Sequence, residues 1–256
     1  MKNILLVDDS ALMRRVLCDI INGDERFHVQ DRAVNGLEAL DLLCRKTYDA
    51  VVLDVNMPQM NGLELLKELQ KRKISAKVLM ASTDTREGAK TTLDALELGA
   101  LDFVHKPNNA MDCRNGEFKD RLIKMLAVVA ESRTPAVSKT FSVDEIKSTK
   151  KMVSLVSRHT ASVSGNKIVA LASSTGGPKA LQAVIPRLPK NLKAPVVVVQ
   201  HMPAGFTASL AERLDSLSEV TVKEAAEGDV LEPGTVYIAK GGKHLNILSM
   251  ATKYTI

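Results

Sequence analysis

Tryptophan is absent from the sequence, and aromatic side chains make up only 3% of its 256 residues. Any core must therefore be packed from aliphatic side chains, and stacking platforms for nucleic-acid bases are scarce. Cysteine is nearly as rare: Cys18, Cys44 and Cys113 lie far apart, with no C-x-x-C pair. This excludes a disulfide scaffold and points to free thiols in a reducing compartment. No apolar run is long enough to span a bilayer, and the opening segment MKNILLVDDS meets aspartates too early for a secretory leader. A cytoplasmic protein without direct membrane insertion is expected. The formal net charge of +5 is mild and its cations are mixed with carboxylates, so no nucleic-acid partner is required.

What remains is a chain that is 45% hydrophobic, with enough material for two modest domains. Up to about residue 132, strand-like runs (Ile4–Val7, Val29–Val34, Ala50–Leu53, Lys77–Ala81, Leu101–Val104) alternate with leucine-rich stripes at helical spacing. That alternation predicts an α/β fold with a parallel sheet wound on both faces, and ligands at the carboxyl ends of its strands.

The residues at those ends carry chemistry. Asp8 and Asp9 follow the first strand, Asp54 ends the third, Ser82 ends the fourth and Lys106 follows the fifth. Each acid alone could simply cap a helix. Converging carboxylates, however, repel one another unless a cation joins them, which implies a hard divalent ion such as Mg²⁺. With a lysine and a hydroxyl beside them, they form a site for a phosphoryl group with a carboxylate nucleophile.

Residues 3 to about 130 resemble the response-regulator receiver family through Asp8-Asp9, Leu53-Asp54-Val55-Asn56-Met57-Pro58 and His105-Lys106-Pro107. The resemblance implies a flavodoxin-like doubly wound domain over 1–132 whose Asp54 is phosphorylated by a histidine kinase. It assigns Mg²⁺ to Asp9, Asp54 and the carbonyl of Asn56, with Asp8 close by, and the phosphoryl oxygens to Ser82 and Lys106. Phe103 takes the place of the family's aromatic switch residue.

Residues 133–166 hold eleven serines and threonines and six lysines and arginines, with no sustained apolar period, which is the composition of a linker. Lys147, Lys150 and Lys151 read as part of a solvated tether rather than a nucleic-acid patch.

Past residue 167 a second unit opens with KIVALASSTGGP, which reads as strand, tight turn and helix. Ser174 on that turn has the ingredients of a nucleophile elbow, although Ala172 stands where the pattern has glycine. The same turn would also serve as a helix cap or phosphate cradle. A helix stripe from Ala180 to Leu188 should close at Pro189. The run Val196–Val199 should be a strand buried on both faces, and it ends in Gln200-His201-Met202-Pro203. His201, at the end of a strand expected beside that of Ser174, is a candidate general base. His28, His105, His159 and His244 lack a paired serine turn and are expected at the surface or in supporting positions.

Ser173–Pro178, Gln200–Phe206 and Val236-Tyr237-Ile238-Ala239 together resemble the catalytic domain of the CheB-type protein-glutamate methylesterases, in which a receiver is fused to an esterase. The resemblance implies a second, Rossmann-like α/β domain over 167–256 that is incomplete here. It implies hydrolysis of glutamate γ-methyl esters on methylated chemoreceptors, with glutamine deamidation as an added activity and no cofactor for the esterase. Ser174 would be the nucleophile, His201 the base and the Thr175 N–H an oxyanion donor. The family's third triad member is an aspartate in a later glycine-rich segment, and the sequence reaches Ile256 first. The turn and helix-end contexts of Asp215 and Asp229 argue against either as a substitute. The expectation is a phosphorylation-regulated methylesterase of which the chain as written is a truncated copy or a fragment of doubtful activity; the alternative is an inactive truncated form that serves only as phosphoryl acceptor and binding module.

Overall fold

The structure, a computed structural model, describes residues 1–83, 86–107, 109, 112–114, 116–132, 167–250 and 253–256; the side chains of 82, 83, 86–89, 114, 250 and 253 lie outside that description. The expected linker, 133–166, and His159 within it also lie outside it.

The first unit runs β1 (Lys2–Val7), α1 (Ala11–Asn22), β2 (Phe27–Ala33), α2 (Gly36–Arg45), β3 (Ala50–Asp54), α3 (Gly62–Lys71), β4 (Val78–Thr83), α4 (Arg86–Glu97), β5 (Asp102–Lys106) and α5 (Gly116–Glu131). Its strands pair in parallel in the order β2-β1-β3-β4-β5. Both faces of the sheet are covered, which is why the central strands are continuous apolar runs rather than alternating ones. Leu5, Val7 and Leu53 pack with α2, α3 and α4 on one face, while Ile4, Leu6 and Val52 pack with α1 and α5 on the other. Side chains fix where the helices start. Ser10 caps α1 by accepting from the Met13 N–H, and Asn61 and Glu64 cap α3 reciprocally. Strand order reverses between β1 and β3, so their connections leave on opposite sides and a crevice opens at their carboxyl ends.

The second unit runs β6 (Val169–Ser173), α6 (Gly177–Val184), β7 (Val196–Gln200), α7 (Phe206–Leu217), β8 (Thr221–Glu224) and β9 (Thr235–Ile238), with parallel order β6-β7-β9-β8. An antiparallel pair, β10 (Leu248–Met250) and β11 (Lys253–Thr255), follows and was not anticipated from the sequence. Two expectations need correction. The helix after the Ser174 turn ends at Val184 and tightens into a 3₁₀ turn over Ile185–Arg187. Pro186, which has no N–H to donate, stops it before Pro189 can. Val199 is not buried on both faces: it is 50% exposed, whereas Val196, Val197 and Val198 are buried. Val198 belongs to the core beneath α6 and α7 and Val197 to a small cluster with Leu231 and Tyr237, and Val199 lies past the edge of that cluster.

The two units share one continuous apolar core in which Leu93, Leu96 and Phe103 meet Leu181, Phe206, Leu210 and Leu214. The Phe103 ring stacks on Phe206 with centroids 4.9 Å apart and planes 19° from parallel. At the rim, Arg213 Nε and Nη2 donate to the two carboxylate oxygens of Glu97 at 2.9 and 2.8 Å. No helix among the described residues is long and apolar enough to cross a membrane.

Candidate functional sites

The crevice between β1 and β3 gathers Asp8, Asp9 and Asp54, one oxygen of each lying within 4.8 Å of the others. Asp8 and Asp54 are buried and Asp9 is exposed. Lys106, from the end of β5, places Nζ 2.8 Å from Asp8 Oδ2 and 2.8 Å from Asp54 Oδ2. Backbone N–H groups of Ser10 and Val55 donate to the remaining oxygens of Asp8 and Asp54 at 2.9 and 2.8 Å. Arg14 Nη1 donates to the carbonyls of Asp8 and Asp9, pinning the loop that carries them. The loop after Asp54 folds back on it, with the Gly62 N–H donating to the Val55 carbonyl at 2.9 Å. A Cβ on Gly62 would run into the Asp54 carbonyl, so only glycine permits that approach.

Burial pushes the Asp54 carboxyl above its usual range, with Lys106 working against the rise. Burial also opposes the Lys106 ammonium, but the charges of Asp54 and Asp8 outweigh it and hold its pKa up. Three carboxylates against one ammonium leave excess negative charge on oxygen donors, which suits a hard divalent cation. Asn56 is exposed two residues past Asp54. Ser82 sits one residue before the end of β4, its side chain outside the described residues.

The second constellation lies where β6 and β7 end. Ser173 pairs with Gln200, so Ser174 and His201 leave the sheet side by side, and the His201 N–H donates to the Ser173 carbonyl at 3.0 Å. Gly176, with φ of 73°, turns the chain through the left-handed region into α6. Ser174, Thr175 and His201 line one cleft of about 510 Å³. Its other wall is the first unit: Asp102, Phe103 and His105 from β5, with Arg121, Lys124, Met125 and Val128 from α5. His105 is half-buried and lines this cleft, a supporting position of the kind expected for it. His28 and His244 are exposed, as expected.

Asp102 faces His201. It is 6% exposed, and burial pushes its carboxyl up, while the Phe103 N–H, the Thr175 hydroxyl and the charge of His201 favour its ionised form. Asp215 and Asp229, the acids downstream of His201, are engaged elsewhere. Asp215 accepts from the Val222 N–H at 2.7 Å, and Asp229 takes Lys223 Nζ at 2.7 Å and the Ala226 N–H at 2.9 Å. Sequence reasoning missed Asp102, a strand-starting acid with no pattern around it. It also missed Gln200, whose one signal was a polar side chain closing a run of valines.

Two families match the chain: the response regulator receiver domain over residues 4–115 and the CheB methylesterase over residues 169–255. A protein-glutamate methylesterase/protein-glutamine glutaminase of Pyrococcus abyssi is 43% identical over 245 residues, which cover 95% of this chain and 64% of that protein. The protein of the same description from Thermotoga maritima is 44% identical over 246 residues, covering 95% of this chain and 67% of its own length. The crystal structure of the Thermotoga maritima CheB methylesterase catalytic domain aligns at 59% identity and a TM-score of 0.35, covering 35% of this chain and 48% of that one. The chain thus spans about two thirds of the length of the two relatives.

Proposed function

Because the chain belongs to the protein-glutamate methylesterase/protein-glutamine glutaminase family, we propose that the full-length protein removes γ-methyl esters from glutamates of chemoreceptors, and deamidates glutamines there, under control of phosphorylation at Asp54. The observation that carries this reading is the meeting of Ser174 and His201 in one cleft whose far wall is the receiver.

Ser174 Oγ attacks the ester carbonyl while His201 takes its proton, and the tetrahedral oxyanion is stabilised by the Thr175 N–H at the start of α6. Collapse breaks the bond to methoxide, which leaves as methanol with the proton from His201. Water, deprotonated by His201, then attacks the acyl-serine; Ser174 recovers its proton and the glutamate carboxylate is released. From a glutamine the leaving group is ammonia, and the remaining steps are unchanged. No cofactor enters these steps.

In the receiver, Asp54 is the acceptor of a phosphoryl group from a chemotaxis histidine kinase. Asp8, Asp9, Asp54 and the Asn56 carbonyl are the groups that would hold Mg²⁺, whose contribution would be to neutralise charge on the phosphoryl oxygens. Lys106 and Ser82 bind those oxygens, which takes Lys106 away from its present carboxylate partners. Lys106 ends the same strand that begins with Asp102 and Phe103, the residues set against the cleft. Phosphorylation then shifts the population from a covered to an open cleft.

Methanol release from methylated receptors tests the reading. Ser174→Ala should abolish it, and undiminished release by that variant would end the hypothesis.

A further inference from the structure

Gln200 closes β7, is 5% exposed, and spends its whole amide on the two turns that carry Ser174 and His201. Its Nε2 donates to the Ser174 carbonyl at 3.0 Å and to the His201 carbonyl at 3.1 Å, and its Oε1 accepts from Ser173 Oγ at 2.6 Å. The chemistry of the neighbours fixes this orientation, because two carbonyls can only accept and need the –NH₂ group between them. Ladder pairing between β6 and β7 stops at Ser173 and Gln200. Beyond that point one backbone bond, from the His201 N–H to the Ser173 carbonyl, still ties the two chains, and the Gln200 amide adds the side-chain hydrogen bonds that hold the two turns. Gly177 keeps room for the amide, since a Cβ there would overlap Gln200 Oε1. The side chains nearest to it in shape do not do the same: glutamate lacks the donors, asparagine is one methylene short and methionine offers no N–H.

We propose that Gln200 is a positioning residue that clamps the Ser174 and His201 turns at the separation proton transfer requires, acting through the two carbonyls without touching substrate. This rests on the esterase reading above. A misplacement of about 1 Å at a reacting centre costs on the order of 10²-fold in rate, so loss of the clamp should appear in turnover before it appears in binding.

The test uses the full-length protein, with kcat and KM from methanol release and Tm for each variant. Gln200→Glu keeps the size and the acceptor for Ser173 but sets an oxygen against two carbonyls. It should lower kcat roughly 10- to 100-fold with KM within about 2-fold. Ser173→Ala frees only the Oε1 anchor and should lower kcat roughly 3- to 10-fold; it remains informative if Gln200→Glu fails to fold. Wild-type kcat in either variant, or a loss of rate explained entirely by a lower folded fraction, would overturn the clamp. Ser174→Ala separates the two ideas. If it is inactive while Gln200→Glu turns over normally, only the role of Gln200 falls, and if it stays active the esterase reading falls and the clamp with it.

Discussion

Reversing one charge of the Arg213–Glu97 pair should raise the resting esterase rate without altering either site. Both oxygens of Glu97 are engaged, at 2.9 and 2.8 Å, and the two side chains are 37% and 32% exposed. A pair so wet is worth about 0.2–1 kcal/mol, with the two-pronged arginine geometry placing it near the top of that range. Arg213→Glu exchanges that attraction for a repulsion of similar size, a change of about 1–2 kcal/mol in favour of the open arrangement. The open population, and with it methanol release by unphosphorylated protein, should rise roughly 5- to 30-fold while the covered form still dominates. Glu97→Arg should do the same, and the double reversal should return the rate to that of the wild type. In about 1 M salt, where the screening length falls to about 3 Å, the variants should converge. A double reversal as active as either single variant would refute the reasoning, because the gain would then not come from the pair.

Acetyl phosphate with Mg²⁺ should add one phosphoryl group to the wild type and none to Asp54→Asn, and equal mass gain in both would refute the assignment of Asp54. The same variant should be more thermostable at pH 7 without Mg²⁺. Burial holds the Asp54 pKa up, so the stability its proton confers is present below the ordinary value of 3.8 and is lost as pH rises through the raised one. An unfolding scan in which Asp54→Asn melts first would contradict this. Asp102 titrates in the same sense between covered and open forms: covering should weaken as pH rises from 3.8 through the raised value. Inter-domain energy transfer should follow that trend in the wild type and be flat in Asp102→Asn; a matching slope in the variant would assign it to another group.

The receiver was legible because its chemistry sits at strand ends, and strand ends are marked by the switch from apolar runs to helical stripes. Asp8, Asp54 and Lys106 are far apart in sequence, yet one topological rule brings them together, and they meet within hydrogen-bond distance. The parallel pairing of β6 with β7, and hence the juxtaposition of Ser174 with His201, followed from the same rule. Asp102 was out of reach because its role depends on docking between two units, which no local period encodes. The clamp by Gln200 depends on which way a side chain turns after a ladder ends. The stop at Pro186 was readable from its missing N–H, but the apolar stripe running on to Leu188 obscured it. The sequence between β10 and β11 has no glycine or proline to announce their pairing.

β5 serves two masters. Its first residues lean on the hydrolytic cleft and its last reaches the acidic crevice, and only four peptide steps, roughly 13 Å of extended chain, lie between them. A rod that short has no slack, and slipping it by one place against β4 would send every side chain to the opposite face. A change of register in this strand would therefore disturb the residues at both sites at once.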